Sequence, residues 1–290
     1  MVAKKLKYSH FIICRTREKK YGVPKMEFQF KPHYDIGDLL KIMRLLRSEN
    51  GCPWDIEQTH QSIRKNFIEE TYEVVEAIDK NDIELLKEEL GDVLLQVVFH
   101  TQMEAENGNF TFDDVADGIC QKLILRHPHI FSDVTVHDAD QVLSNWDKIK
   151  KAEKGQKSAT ETLEAVPSVL PALMRAQKVQ QRAARAGFDY DTCDQAMADL
   201  KSEVSELEEA LASDNQWHIE EELGDLIFSA LNIARFSKLD GEDSLTKATQ
   251  KFIRRFAEVE RLAGENNIDM TKADLEQLNQ LWYQAKQICQ

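Results

Sequence analysis

Eight acidic residues fall into two sets of four with the same spacing. Glu70, Glu73, Glu89 and Asp92 form the first set, and Glu203, Glu206, Glu222 and Asp225 form the second. Each member of the second set lies 133 residues after its counterpart. Glu69 extends the first set, whereas Ser202 takes the equivalent place in the second. Carboxylates brought into one place repel one another and are driven toward protonation unless a cation neutralises them. Oxygen donors without Cys or His suit a hard divalent cation such as Mg²⁺, with Mn²⁺ as an alternative. A metal held in this way points to phosphate chemistry.

A second pattern follows each acidic set in the same order. Lys122 and Arg126 follow the first, and Lys251 and Arg255 follow the second. Further on come Trp146 with Lys150, and Trp282 with Lys286. At i, i+4 each pair shares a helical face. Lys and Arg grip phosphate oxygens, and an indole stacks on a base with cation–π support. Each pair has an ordinary alternative, because Trp is usually core and Lys-x-x-x-Arg is common on surfaces. Repeated in order behind the acids, they read as a nucleotide clamp. His127-Pro128-His129 reads as a structural loop. No Gly-rich phosphate loop and no Glu-x-x-His di-iron pattern occurs in the chain.

The acids need rigid, adjacent helices to converge. Helical pattern is expected over 36–50, 59–79, 83–106, 113–126 and 140–152, then over 194–212, 217–237, 243–263 and 271–288. Residues 51–55 read as an irregular loop. Strand-like alternation is scarce, so the chain reads as all-α. At about 100° per residue, Glu70 and Glu73 flank an apolar stripe of Phe67, Val74, Val75 and Ile78. Glu89 and Asp92 likewise flank a stripe of Leu90, Val93, Leu94, Val97 and Val98. A short turn at Lys80-Asn81-Asp82 makes these helices antiparallel neighbours, so packing stripe on stripe brings the acid flanks to a common edge. Val204, Leu207, Leu211, Leu223, Leu226, Ile227, Ala230 and Leu231 repeat the plan around the second set. Gly91 and Gly224 cost their helices roughly 1 kcal/mol each against alanine, which suggests close approach of backbone or ligand there.

The whole chain has 290 residues and a net charge of −14. That charge gives no general attraction to nucleic-acid backbone or anionic lipid, although a free nucleotide arriving with its own cation remains compatible. Five cysteines (Cys14, Cys52, Cys120, Cys193, Cys289) without close pairing read as reduced thiols of a cytoplasmic protein. No apolar run is long enough to span a membrane. The repeat divides the chain into a basic, disordered extension at 1–35, a first domain at 36–151, a polar linker at 152–162 and a second domain at 163–290. Met26 is an alternative start.

These features resemble the MazG family of nucleoside triphosphate pyrophosphohydrolases. The resemblance spans about residue 36 to 290. It rests on Gly51-Cys52-Pro53-Trp54-Asp55 with Glu57-Gln58-Thr59, on both acidic motifs, and on Arg126-His127-Pro128-His129. It continues with Leu170-Pro171-Ala172-Leu173, Arg182-Ala183-Ala184 before Gly187-Phe188-Asp189, Glu220-Glu221-Glu222-Leu223-Gly224-Asp225 and Lys251-Phe252-Ile253-Arg254-Arg255-Phe256. The resemblance implies tandem helical domains, a homodimer and Mg²⁺-dependent cleavage of a nucleoside triphosphate (NTP) to a nucleoside monophosphate (NMP) and pyrophosphate. It implies metal ligands at Glu203, Glu206, Glu222 and Asp225, and nucleotide contacts at Lys251, Arg255, Trp282, Lys286, His218 and Glu221. Asp199 and His218 depart from the family pattern, standing where lysines near the triphosphate are expected. Domain two, whose Lys251 and Arg255 lie in an unbroken helical stretch, is the expected main site. Two other readings remain open: an acidic helical scaffold with structural metal, and a pyrophosphohydrolase dedicated to one nucleotide such as dUTP or phosphoribosyl-ATP.

Overall fold

The computed structural model describes residues 28–153 and 155–289. The expectations for Cys14, Met26 and most of the basic extension concern residues 1–27 and lie outside the described residues. Contacts divide the chain into two units, the first ending at Val142 and the second beginning at Leu143. Among the described residues the fold is all-α, and no helix is long and apolar enough to cross a membrane.

Unit one begins with α1 (Ile36–Leu46) and the short α2 (Pro53–Glu57). Helices α3 (Arg64–Asp79) and α4 (Ile83–Glu106) form a hairpin, followed by α5 (Phe112–Arg126) and α6 (Pro128–Phe131). Helix α7 (Ala139–Glu153) carries the division between the units. The division therefore falls ahead of the polar stretch 152–162. Unit two then has α8 (Ala159–Glu164), α9 (Ala172–Arg185), a second hairpin of α10 (Cys193–Ala212) and α11 (Gln216–Phe236), then α12 (Gly241–Glu265) and α13 (Leu275–Ile288).

Local chemistry sets both hairpins in the same way. Asn81 and Asp214 take positive φ values of 51° and 52° in the two turns, a conformation that Asn and Asp tolerate better than most residues. The next helix then starts on a side-chain cap. Asp82 accepts from Leu85 N, and Asn215 accepts from Trp217 N and His218 N. Such caps satisfy backbone donors that the helix leaves open. The helix pairs α3–α4 and α10–α11 pack against each other, with α1 against α4 and α9 against α11.

Three expectations are corrected. Helix α3 begins at Arg64, not near Thr59, because Thr59 and Ser62 exchange backbone and hydroxyl hydrogen bonds in a local turn. Pro53 sits at the start of a real short helix within the supposed loop. Helix α9 was not among the expected helices, and its two buried residues are the glutamines Gln177 and Gln180. Gln177 Nε2 donates to Leu239 O at 2.7 Å, and Gly241 N donates to Gln177 Oε1 at 2.9 Å. Gln180 Nε2 donates to Phe228 O at 2.6 Å. Amide side chains here bind backbone groups, so burial does not follow hydropathy.

The apolar stripes are also wider than their partners. Val98 and Leu231 are buried, but Leu90 is 51% exposed and Leu223 46%. Val75, Ile78, Leu94 and Ile227 are exposed as well. A Cβ placed on Gly91 or Gly224 meets no atom within 4 Å, so among the described residues nothing packs closely on these glycines. They lie on the open side of each hairpin. The packed side of unit one joins Met43, Ile63, Val98, Phe99 and Met103. In unit two, Val259, Leu262, Leu281 and Ala285 form a core between α12 and α13.

Gln177→Ala removes two of the hydrogen bonds that tie α9 to the start of α12, leaving the one from Met174 N to Glu242 Oε1. It is expected to lower unfolding free energy by about 1–3 kcal/mol, the usual cost of leaving buried polar groups unpaired. Urea denaturation measures this, and an unchanged midpoint would mean that the bridge does not hold α12.

Candidate metal centre

Each hairpin brings three carboxylates to one place. Single oxygens of Glu70, Glu73 and Glu89 lie within 4.8 Å of one another in unit one. The same spacing joins Glu203, Glu222 and Asp225 in unit two. Each trio draws on both helices of its hairpin. The set member outside the trio differs: Asp92 in unit one and Glu206 in unit two.

The charges are confined. Glu89 is only 7% exposed and Glu222 9%. Burial, then a side-chain hydrogen bond with Glu73 and the charges of Glu73 and Asp92, push Glu89 up to about 7. Burial likewise raises Glu203, reinforced by the charges of Glu206, Asp199, Asp225 and Glu222. Thus Asp92 and Glu206 act electrostatically on the clusters although they lie outside the trios. Glu206 Oε1 accepts from Ser202 Oγ at 2.9 Å. His218 Nε2 lies 3.1 Å from Glu222 Oε1. Glu221, the next residue of the expected nucleotide set, is exposed. Mutually repelling carboxylates, one of them buried in each trio, with only oxygen donors fit a hard divalent cation.

The basic and aromatic residues occupy other helices. Lys251 is exposed on α12, and Arg255 Nε donates to Cys289 O at 3.4 Å. Trp282 packs on Phe252 with ring centroids 5.2 Å apart, and Lys286 Nζ lies 6.0 Å from the Trp282 centroid. Helix α12 packs on α9 and α13, and α9 also packs on α11. Helix α9 therefore links the basic–aromatic pair of helices to the acidic hairpin. In unit one, Lys122 lies within α5, and Arg126 is its final residue, just before Pro128. Trp146 and Lys150 lie on α7 beyond the division between the units.

Several site neighbours escaped the sequence reading. Tyr190 hydrogen-bonds Asp199, and burial followed by that bond pushes the phenol up to about 12. Ser229 Oγ donates to Asp199 Oδ2 at 2.8 Å. Away from the unit-one trio, toward the C-terminal end of α4, His60 bridges the loop before α3 to α4, with Nδ1 at 2.6 Å from His100 Nδ1 and Nε2 at 2.6 Å from Glu104 Oε1. Ser229 lies seven residues after Glu222, on the same helical face, and that spacing was its only signal in the sequence.

Two helical hairpins, each closing on a carboxylate trio, define a tandem all-α protein with two acidic centres that a divalent cation fits. Comparison with known proteins gives the family. The MazG nucleotide pyrophosphohydrolase domain matches twice, at residues 58–131 and 191–259. The chain is 45% identical over 254 residues to the nucleoside triphosphate pyrophosphohydrolase of Escherichia coli K12, covering 87% of this chain and 97% of that protein. It is 43% identical over 249 residues to the nucleoside triphosphate pyrophosphohydrolase/pyrophosphatase MazG of Thermotoga maritima, covering 86% and 94%. An uncharacterized Bacillus subtilis protein, YabN, is 42% identical over 266 residues, covering 91% of this chain and 54% of that protein. The chain belongs to the MazG family.

The raised Glu89 carboxyl has a thermodynamic consequence. In metal-free protein the folded state binds an extra proton there between the ordinary glutamate value of 4.5 and about 7. Its contribution to stability is fully present below about 4.5 and is lost as pH rises toward 7. The stability of wild type minus that of Glu89→Gln is therefore expected to fall across this window in EDTA. A difference that stays flat from pH 4.5 to 7 in thermal melts would show that Glu89 titrates normally.

Proposed function

We propose that this protein hydrolyses nucleoside triphosphates to NMP and pyrophosphate in the cytoplasm, with Mg²⁺ as the working cation and a broad, house-cleaning range of bases. The observation that carries this reading is the twice-built carboxylate trio, supported by family membership. Relatives whose own names include nucleoside triphosphate pyrophosphohydrolase supply the substrate class.

In unit two, Glu203, Glu222 and Asp225 would hold the cation, and Glu70, Glu73 and Glu89 would do so in unit one. The bound cation would screen triphosphate charge and make a water molecule more acidic. Glu206, outside the trio and braced by Ser202, is the carboxylate left to accept the proton of the attacking water. Water oxygen bonds to the α-phosphorus, the α–β bridging bond breaks, and pyrophosphate departs with the bridging oxygen. Lys251 and Arg255 favour the negative charge that develops on the phosphates. Trp282 offers an aromatic face to the base, with Lys286 beside it.

Unit two is the main site in this reading. Lys251 and Arg255 lie well inside the 25-residue α12, whereas Arg126 ends α5. The protein acts as a homodimer. The exposed apolar side of each hairpin, with Leu90, Leu94, Leu223 and Ile227, has the composition of a surface covered by a second copy of this chain.

Pyrophosphate release from an NTP panel is expected with Mg²⁺ and is abolished by EDTA. Glu222→Gln is expected to reduce turnover at least 100-fold, and Glu89→Gln by less than tenfold, reflecting loss of one charged ligand at the main and minor sites. Full activity in Glu222→Gln would overturn the ranking of the units. In light scattering the protein should have twice the chain mass, and Leu90→Glu with Leu223→Glu should shift it toward the monomer.

A further inference from the structure

Asp199 lies one helical turn before Glu203 on α10, outside the trio. Two groups from other elements hold its carboxylate. Ser229, buried on α11, donates from Oγ to Oδ2 at 2.8 Å. Tyr190, on the loop before α10, donates its phenol to the same carboxylate. That loop is itself anchored, because Asp189 forms a two-pronged pair with Arg235 of α11, with Nη1 to Oδ2 at 2.8 Å. Loop, α10 and α11 thus converge on one side chain.

Such an arrangement is costly without a cation. Asp199 adds a negative charge to a region already holding Glu203, Glu206, Glu222 and Asp225, and its charge is felt at Glu203. A carboxylate free to swing would relax away from this repulsion. Two donors prevent that. A fixed charge close to a metal site favours the loaded state over the metal-free one, because its repulsion with the other acids is present in both states whereas its attraction to the ion is gained only on binding. Unit one provides an internal contrast. Its equivalent positions, 133 residues earlier, are the neutral Asn66 and Gln96 in place of Asp199 and Ser229.

We propose that Asp199, fixed by Ser229 and Tyr190, is a positioning residue of unit two that tightens divalent-cation binding by Glu203, Glu222 and Asp225 without being a ligand. This rests on the metal reading of that trio. As a consequence, unit two binds a divalent cation more tightly than unit one.

The test uses the full chain carrying Glu73→Gln and Glu89→Gln, so that unit two alone reports. Free Mn²⁺ is followed by electron paramagnetic resonance during titration without nucleotide. Adding Asp199→Asn is expected to weaken Mn²⁺ binding about 10-fold, at the low end of measured outer-layer effects. The metal-free melting temperature should stay equal or rise, because repulsion is relieved. Asp199→Glu, which restores the charge, should recover most of the affinity. Ser229→Ala should give an intermediate loss. Unchanged Mn²⁺ affinity in Asp199→Asn, or no recovery in Asp199→Glu, would overturn the proposal while leaving the trio intact. Failure of the parent to bind Mn²⁺ would overturn the trio reading and this proposal together.

Discussion

Repulsion between carboxylates held across a helical hairpin is the constraint on which the rest of the structure depends. Glu89 and Glu222 are nearly enclosed, yet each faces acids from the neighbouring helix. A flexible chain would separate these charges. Here the turn at Asn81 or Asp214, the caps at Asp82 or Asn215, and apolar packing beneath each hairpin keep them together. In the metal-free state the strain is relieved by proton uptake, most visibly at Glu89. A divalent cation relieves it more completely and links ligand binding to stability. The acid cluster is thus an arrangement that the surrounding scaffold holds against its own repulsion, and its oxygen donors fit a divalent cation.

The two units solve this problem from one plan with different details. Unit one backs its hairpin with α1 and a compact cluster around Met43, Val98 and Phe99. Its loop before α3 is tied down by Arg47, which reaches Gln58 O and Glu106, and by His60, which contacts both His100 and Glu104. Unit two backs its hairpin with α9, whose glutamines bind backbone groups, and its loop is tied by Arg235. The trio is drawn from different members of the repeated set. Such divergence is expected after duplication, since each copy must still place three carboxylates but is free to change what supports them.

Much of the site was legible in one dimension. The constant 133-residue offset and the i, i+3 spacings place the acids on matching faces, and the short polar turns make their helices antiparallel. Those features are local, and helical periodicity carries them directly. Where the reading failed, nonlocal contacts had taken over. Within α9, which was not expected, the burial of Gln177 and Gln180 follows from carbonyls and amides far along the chain. The start of α3 was misplaced because Thr59 and Ser62 bond to each other. Val75 and Leu90 were assigned to the hairpin core because they are apolar, yet they lie on its open side. Gly91 and Gly224 were assigned to close approach of backbone or ligand, and no backbone among the described residues makes that approach.

The sequence by itself determined the all-α class, the duplication, the hairpins and the identity of the acids, because each follows from spacing over a few turns. Only the tertiary structure decided which three acids of each set share a centre, how deeply they are enclosed, and that Tyr190 and Ser229 meet at Asp199. Those outcomes depend on how far one helix slides and rotates on another. Shifts of an ångström or two change carboxylate distances and burial without changing the pattern of residues along the chain.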